Sequence, residues 1–203
     1  MGLVLVSLYV ACEIIANVTA GRPVQLGSLV VPSAVFIYTL TFTLVDLIHE
    51  VYGKDGTRMV VYGAFLANIL LAAYSYLVVH LPAPGFFLEA NAYATVFGST
   101  PRIVFASLTA YLISSLVDVE VYHVWRKRVE RWKWSRVLVS NAVSTLVDSV
   151  VFIFLAFYGI LPVVPLIKGQ YLIKMAITIV SLPLIYIPSL RSRVVKAAGS
   201  ANR

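Results

Sequence analysis

VPSAVFIYTLTFTLVDLIHEVYG, residues 31–53, opens as an uncharged apolar run and ends in Asp46, His49 and Glu50. Set on a helix, Thr39, Thr43, Asp46 and Glu50 recur at spacings of four, three and four, so they share one face. The opposite face is Val, Ile, Leu and Phe. An ionisable group at membrane depth costs at least ~2.5 kcal/mol, so it faces a bundle interior or a wet cavity and marks a pathway or a site. The reading of the chain turns on whether its other apolar stretches offer matching polar faces.

They belong to a chain built for lipid. Of 203 residues, 60% are hydrophobic and only 12% charged, with a mean hydropathy of +0.90. A soluble domain carries roughly 45–50% apolar residues. Six segments are long enough to cross a bilayer, for which about 17–25 residues are needed. They fall at 2–20, 31–50, 58–80, 102–124, 136–160 and 170–189, with prolines and glycines between them. The expected architecture is all-α: a multi-pass cell-membrane protein with six transmembrane helices in one bundle, residues 1–203 forming a single domain. The first segment has no basic region before it and carries Glu13 and Asn17 in its second half, so it is expected to be a retained span. Residues 82–100, rich in aromatics and small side chains, read as an interfacial or re-entrant piece.

Basic residues set the expected orientation. Lys54 and Arg58, the run at 126–136, and the tail from Arg191 onward together hold twelve of the 16 Lys and Arg. Arg22, Arg102, Lys168 and Lys174 make up the rest. By the positive-inside rule both termini are cytoplasmic. The run RKRVERWKWSR, 126–136, then reads as a cytoplasmic loop with tryptophans at the headgroup level, and not as a nucleic-acid patch. Lipid is the surrounding partner, and no nucleic acid is expected.

Each span carries one polar line at helical spacing. Segment one has Tyr9, Glu13 and Asn17; segment three has Asn68 and Ser75. Segment four has Ser107, Tyr111, Ser114 and Asp118; segment five has Asn141, Ser144 and Asp148. Segment six has Tyr171, Lys174 and Thr178. Small polar residues commonly do no more than join helices, at roughly 0.6 kcal/mol per contact. The carboxylates ask for more, because Glu13, Asp46, Glu50, Asp118 and Asp148 outnumber the available cations, Lys174 and Arg102. Lys174 is the natural counter-charge to Asp148 on the facing segment. The surplus acids imply protonated carboxyls, a bound cation, or a ligand rich in hydrogen-bond donors.

Enzymatic motifs are missing. No Walker A, GxSxG or GxGxxG sequence occurs, and no HExxH helix. Neither a cofactor nor a metal is expected, and no enzyme activity. A competing reading, a membrane metalloenzyme, would use Asp46, His49, Glu50, Asp118 and Glu120. The single cysteine, Cys12, excludes an internal disulfide and a multi-thiolate metal site.

One ordered set of residues resembles a known family. Asn17, then Asp46 with Glu50-x-Tyr52-Gly53 and Arg58, then Arg102 leading to SLTAYLISSLVDVEVY at 107–122, then Ser140 to Asp148, then Tyr171-x-x-Lys174 with Pro183, are similar to the VUT family of vitamin-uptake or queuosine-precursor transporters. The resemblance covers about residues 13 to 188. It implies six transmembrane helices and import of a deazaguanine base, in cyano or aminomethyl form, or queuine. Toward such a base, a carboxylate from Asp148 or Glu13 would accept the adjacent N–H and amino groups of the guanine-like edge. Asn17, Asn68 or Asn141 would bond its carbonyl and ring nitrogen, and Tyr9, Tyr111 or Tyr171 would stack on it. Asp46, Asp118 and Lys174 complete the expected substrate-binding set. The second reading is a substrate-binding subunit that docks on a separate energising module, with Ala16 and Ala20 as a small-residue seam for that partner; a homo-oligomer is equally compatible.

Overall fold

The computed structural model describes residues 2–129 and 133–181. The elements run α1 (Gly2–Thr19), β1 (Pro23–Leu26), β2 (Leu29–Pro32), α2 (Ala34–His80), α3 (Ala90–Gly98), α4 (Thr100–Arg128), α5 (Lys133–Phe157) and α6 (Val163–Ser181). Among the described residues, five stretches of helix are long and apolar enough to cross a membrane, and Ala34–His49 is a shorter sixth.

The quoted stretch behaves differently from its expected form at both ends. Residues 29–32 are not helix but the second strand of an antiparallel hairpin, with Leu26 opposite Leu29 and Pro23 opposite Pro32. A two-residue Gly27-Ser28 turn closes the hairpin, and Gly27 takes φ 60, a left-handed conformation cheap only for glycine. Pro32 disfavours a helix interior, so α2 starts at Ala34. At the other end, no loop separates the second and third apolar segments. Gly53 alone breaks the helix, at φ 68 and ψ −173. The two limbs then fold back together: Leu44, Val45 and Ile48 of the first pack with Val60 and Ala64 of the second around Tyr9 of α1.

Other boundaries shift for similar reasons. α6 begins at 163 and not 170, since Pro165 lies in its first turn, where a missing N–H is tolerated. Residues 182–189 of the expected sixth span lie outside the described residues. Within 82–100 the short helix α3 buries none of its side chains.

The core sits where α1, α4, α5 and α6 meet. Ala16, Ala20, Ala106, Ala110 and Ala156 let the backbones approach, and Ile103, Phe152, Ile153 and Leu166 fill between them. Ala16 and Ala20 are thus buried within this chain, which corrects their reading as a seam for an external partner. Arg102 is also corrected. Counted with Lys174 as a cation available to the acids, it pairs with none among the described residues: its Nε donates to the Leu155 carbonyl at 2.7 Å and its Nη2 to that of Tyr158 at 2.8 Å, capping the end of α5. Arg102→Ala should therefore lower stability by roughly 1.5–3 kcal/mol, the range for bonds to a charged donor. Thermal unfolding in detergent checks this, with Arg102→Lys recovering only part of the loss because it lacks the fork.

Candidate functional site

α1, the start of α2, α4, α5 and α6 enclose a small cavity whose polar lining is Asn17, Tyr38, Ser107, Asp148, Gln170 and Lys174. Ala16, Ala20, Ala34, Val35 and Phe152 supply its apolar walls. Lys174 Nζ lies 2.5 Å from Asp148 Oδ2, joining α6 to α5. The same ammonium lies 4.9 Å from the centroid of the Tyr38 ring on α2. Both ends of the pair are largely withdrawn from solvent, with side chains 9% and 15% exposed. A pair this buried gains about as much from attraction as it loses in desolvation, so its presence is weak evidence of a purely stabilising role.

Asn17 ties the cavity to the limb behind it. Its Nδ2 donates to Asn68 Oδ1 at 2.7 Å, and Asn68 Nδ2 donates in turn to the Ala64 carbonyl at 3.0 Å. Both amides are buried. Asn17→Ala leaves the Asn68 oxygen without its donor, a cost of about 1–3 kcal/mol. The double variant Asn17→Ala with Asn68→Leu should be less destabilised than Asn17→Ala alone, as read by thermal unfolding.

The cavity gathers three of the expected residues: Asn17, Asp148 and Lys174, with Asn68 directly behind. Glu13 is one turn from Asn17, half-buried and within electrostatic range of Lys174 and Tyr38, but not on the wall. Tyr111 is exposed, and Asn141 and Tyr171 are half-buried; none of the three lines the cavity. Asp118 lies elsewhere. Its Oδ1 accepts hydrogen bonds from Ser140 and Ser144, the latter at 3.1 Å, and so fastens α4 to α5. That contact is centred two turns from Asp148, about 12 Å along α5 from Ser140. The side chains of Asp46 and Glu50 lie outside the described residues. Among the described residues, no three His, Cys, Asp or Glu side chains gather as a metal site would require.

Tyr38 and Gln170 were not expected at the site. The polar line drawn through Thr39 and Thr43 is not the one facing the cavity: Thr39 donates to the Phe36 carbonyl, and Thr43 is exposed. The cavity face of α2 is Ala34, Val35 and Tyr38. On α6 the line runs through Gln170 and Lys174, four apart, one position from the Tyr171 line. An i, i+4 pair of Gln and Lys was the available signal.

The cavity measures about 40 Å³. At ~10–15 Å³ per water by this measure, it admits about three waters, whereas drug-sized ligands occupy pockets of roughly 300–1,000 Å³. A bicyclic ligand requires the walls to part. A larger hollow, about 780 Å³, lies across the α1–α2 seam, where Ile15, Val18, Phe36 and Val96 line it and Arg22 is its charged group. The hydroxyls of Thr19, Ser33, Thr95 and Ser99 complete its polar lining, which holds no carboxylate and no carboxamide.

A family model described as "Putative vitamin uptake transporter" matches residues 32–188, a region that includes Tyr38, Ser107, Asp148, Gln170 and Lys174. The chain belongs to the vitamin uptake transporter family. As a member of it, this chain is a multi-pass membrane protein, in keeping with its membrane-length apolar helices. A Bacillus subtilis (strain 168) protein described as "Probable queuosine precursor transporter" is 31% identical over 176 residues, 84% of this chain and 77% of that relative. No solved structure matches this chain significantly.

Proposed function

We propose that this chain imports a queuosine precursor, a deazaguanine base, by alternating access around the Asp148–Lys174 cavity. The observation that carries the reading is the placing of one carboxylate, one ammonium and two carboxamides, Asn17 and Gln170, around a hollow between helices. A guanine-like edge offers adjacent N–H donors to the carboxylate and a carbonyl to an amide or ammonium, and charge-assisted bonds of this kind are roughly twice as strong as neutral ones. The relative's description supports the same substrate class. Because the cavity is smaller than a base, binding is coupled to separation of α1 and α2 from α5 and α6, the motion that alternating access needs. In this reading both termini and the 126–136 loop face the cytoplasm.

The test is restoration of queuosine-type tRNA modification in cells that can neither make nor import the precursors. Expression of this chain with supplied base should restore the modification. Its failure to do so, with the protein inserted in the membrane, would remove this substrate class.

A further inference from the structure

Lys174 holds a position that looks built for a ligand. Its ammonium contacts the Asp148 carboxylate at 2.5 Å on one side and faces the Tyr38 ring at 4.9 Å on the other. A carboxylate and an aromatic face are the two surfaces by which proteins recognise organic ammonium groups. Here they come from α5 and α2, while the cation filling them is tethered to α6.

We propose that Asp148 and Tyr38 form an ammonium site, held by Lys174 in this structure, which the primary ammonium of an aminomethyl-bearing base takes over on binding. The proposal rests on the transport reading, narrows its substrate class to the cationic precursor, and gives Asp148 to the ammonium in place of the guanine-like edge, which Asn17 and Gln170 then meet. Three features support it. Lysine is a compact point charge on a flexible four-carbon stem, able to swing without unfolding its helix. Glu13 on α1, one turn before the cavity residue Asn17, is the carboxylate assigned to receive the displaced ammonium. Finally, the charges balance: the positive charge that the substrate adds is matched by the Glu13 carboxylate, which gives up any proton it holds to solvent as Lys174 joins it. The substrate's cation pairs with Asp148, Lys174 pairs with Glu13, and no buried charge is left alone. A cyano base brings no cation, so it would have to separate Lys174 from Asp148 without supplying a replacement, which is costly at a buried pair.

Two measurements test this. In the first, purified Lys174→Ala is unfolded thermally with and without n-butylammonium. The amine should raise its unfolding temperature and should not raise that of Lys174→Ala with Asp148→Asn. Equal effects on both, or none on either, overturn the ammonium site. In the second, which leaves the Asp148–Lys174 pair intact, binding of the aminomethyl and cyano deazaguanines is compared on the unaltered chain, Tyr38→Phe and Tyr38→Leu. The unaltered chain and Tyr38→Phe should prefer the aminomethyl form by about tenfold, and Tyr38→Leu should lose most of that preference. Equal affinities on the unaltered chain, or a preference untouched by Tyr38→Leu, overturn the proposal. Should neither base bind, the transport reading fails, and the butylammonium measurement still decides the ammonium site, Lys174→Met replacing Lys174→Ala if the latter does not fold.

Discussion

Asp148→Asn is expected to abolish uptake. Asparagine keeps the shape but loses the charge that holds Lys174 and would hold the base. Removing one partner of a buried, hydrogen-bonded charge pair costs about 2–5 kcal/mol in binding, or roughly thirtyfold to several thousandfold. The fold suffers as well, because Lys174, with 8% of its surface exposed, loses the carboxylate it contacts. Breaking a buried pair from one side destabilises by about 3–5 kcal/mol. The two effects separate in Asp148→Asn with Lys174→Met. That double variant should recover much of the lost stability, since a buried pair is often replaceable by apolar or neutral groups. It should not recover uptake. Uptake by a properly inserted double variant at the unaltered rate would show that the pair serves only to hold α5 and α6 together.

Gly169→Ala should be the most damaging small substitution. In an unobstructed helix interior, alanine is favoured over glycine by about 1 kcal/mol. At Gly169, however, a β-carbon would overlap the Val30 carbonyl oxygen and lie 2.8 Å from Val31 Cγ1, both on the hairpin. Overpacking of this kind costs about 1–3 kcal/mol and outweighs the helix gain. The neighbouring residue is Gln170, and Lys174 is one turn further, so pushing the hairpin off α6 also shifts the cavity wall. Both unfolding temperature and uptake should fall. Gly63→Ala is the matched control: nothing lies within 4 Å of the added carbon, and stability should hold or rise.

Much of this arrangement is readable from residue order. Long uncharged runs give the spans, and an acid in one span with a lysine in the next gives the Asp148–Lys174 pair, because neither charge tolerates lipid alone. The hairpin was also written in the chain, as VQL-Gly27-Ser28-LVV, two apolar runs around a two-residue glycine turn. A search for membrane spans absorbs its second strand into the following helix. Other features are not encoded locally. Periodicity assigns a helix face only to within about one residue, and the final rotation is set by what packs against it. That one-residue difference separates Thr39 from Tyr38 and Tyr171 from Gln170. Asp118 and Arg102 illustrate a second limit. Both are charges in apolar segments, yet serines on α5 satisfy one and the terminal carbonyls of α5 the other. Those partners lie more than twenty residues away, beyond the reach of any local pattern.

The most direct measurement is the location of a bound aminomethyl deazaguanine in a structure of the purified protein in lipid nanodiscs. The base should lie between Asp148, Asn17 and Gln170, with Lys174 turned away from Asp148 and the cavity walls separated. Density for the base in the hollow beside Arg22, or around Asp118 and Ser140, with the Asp148–Lys174 contact intact, would contradict this account.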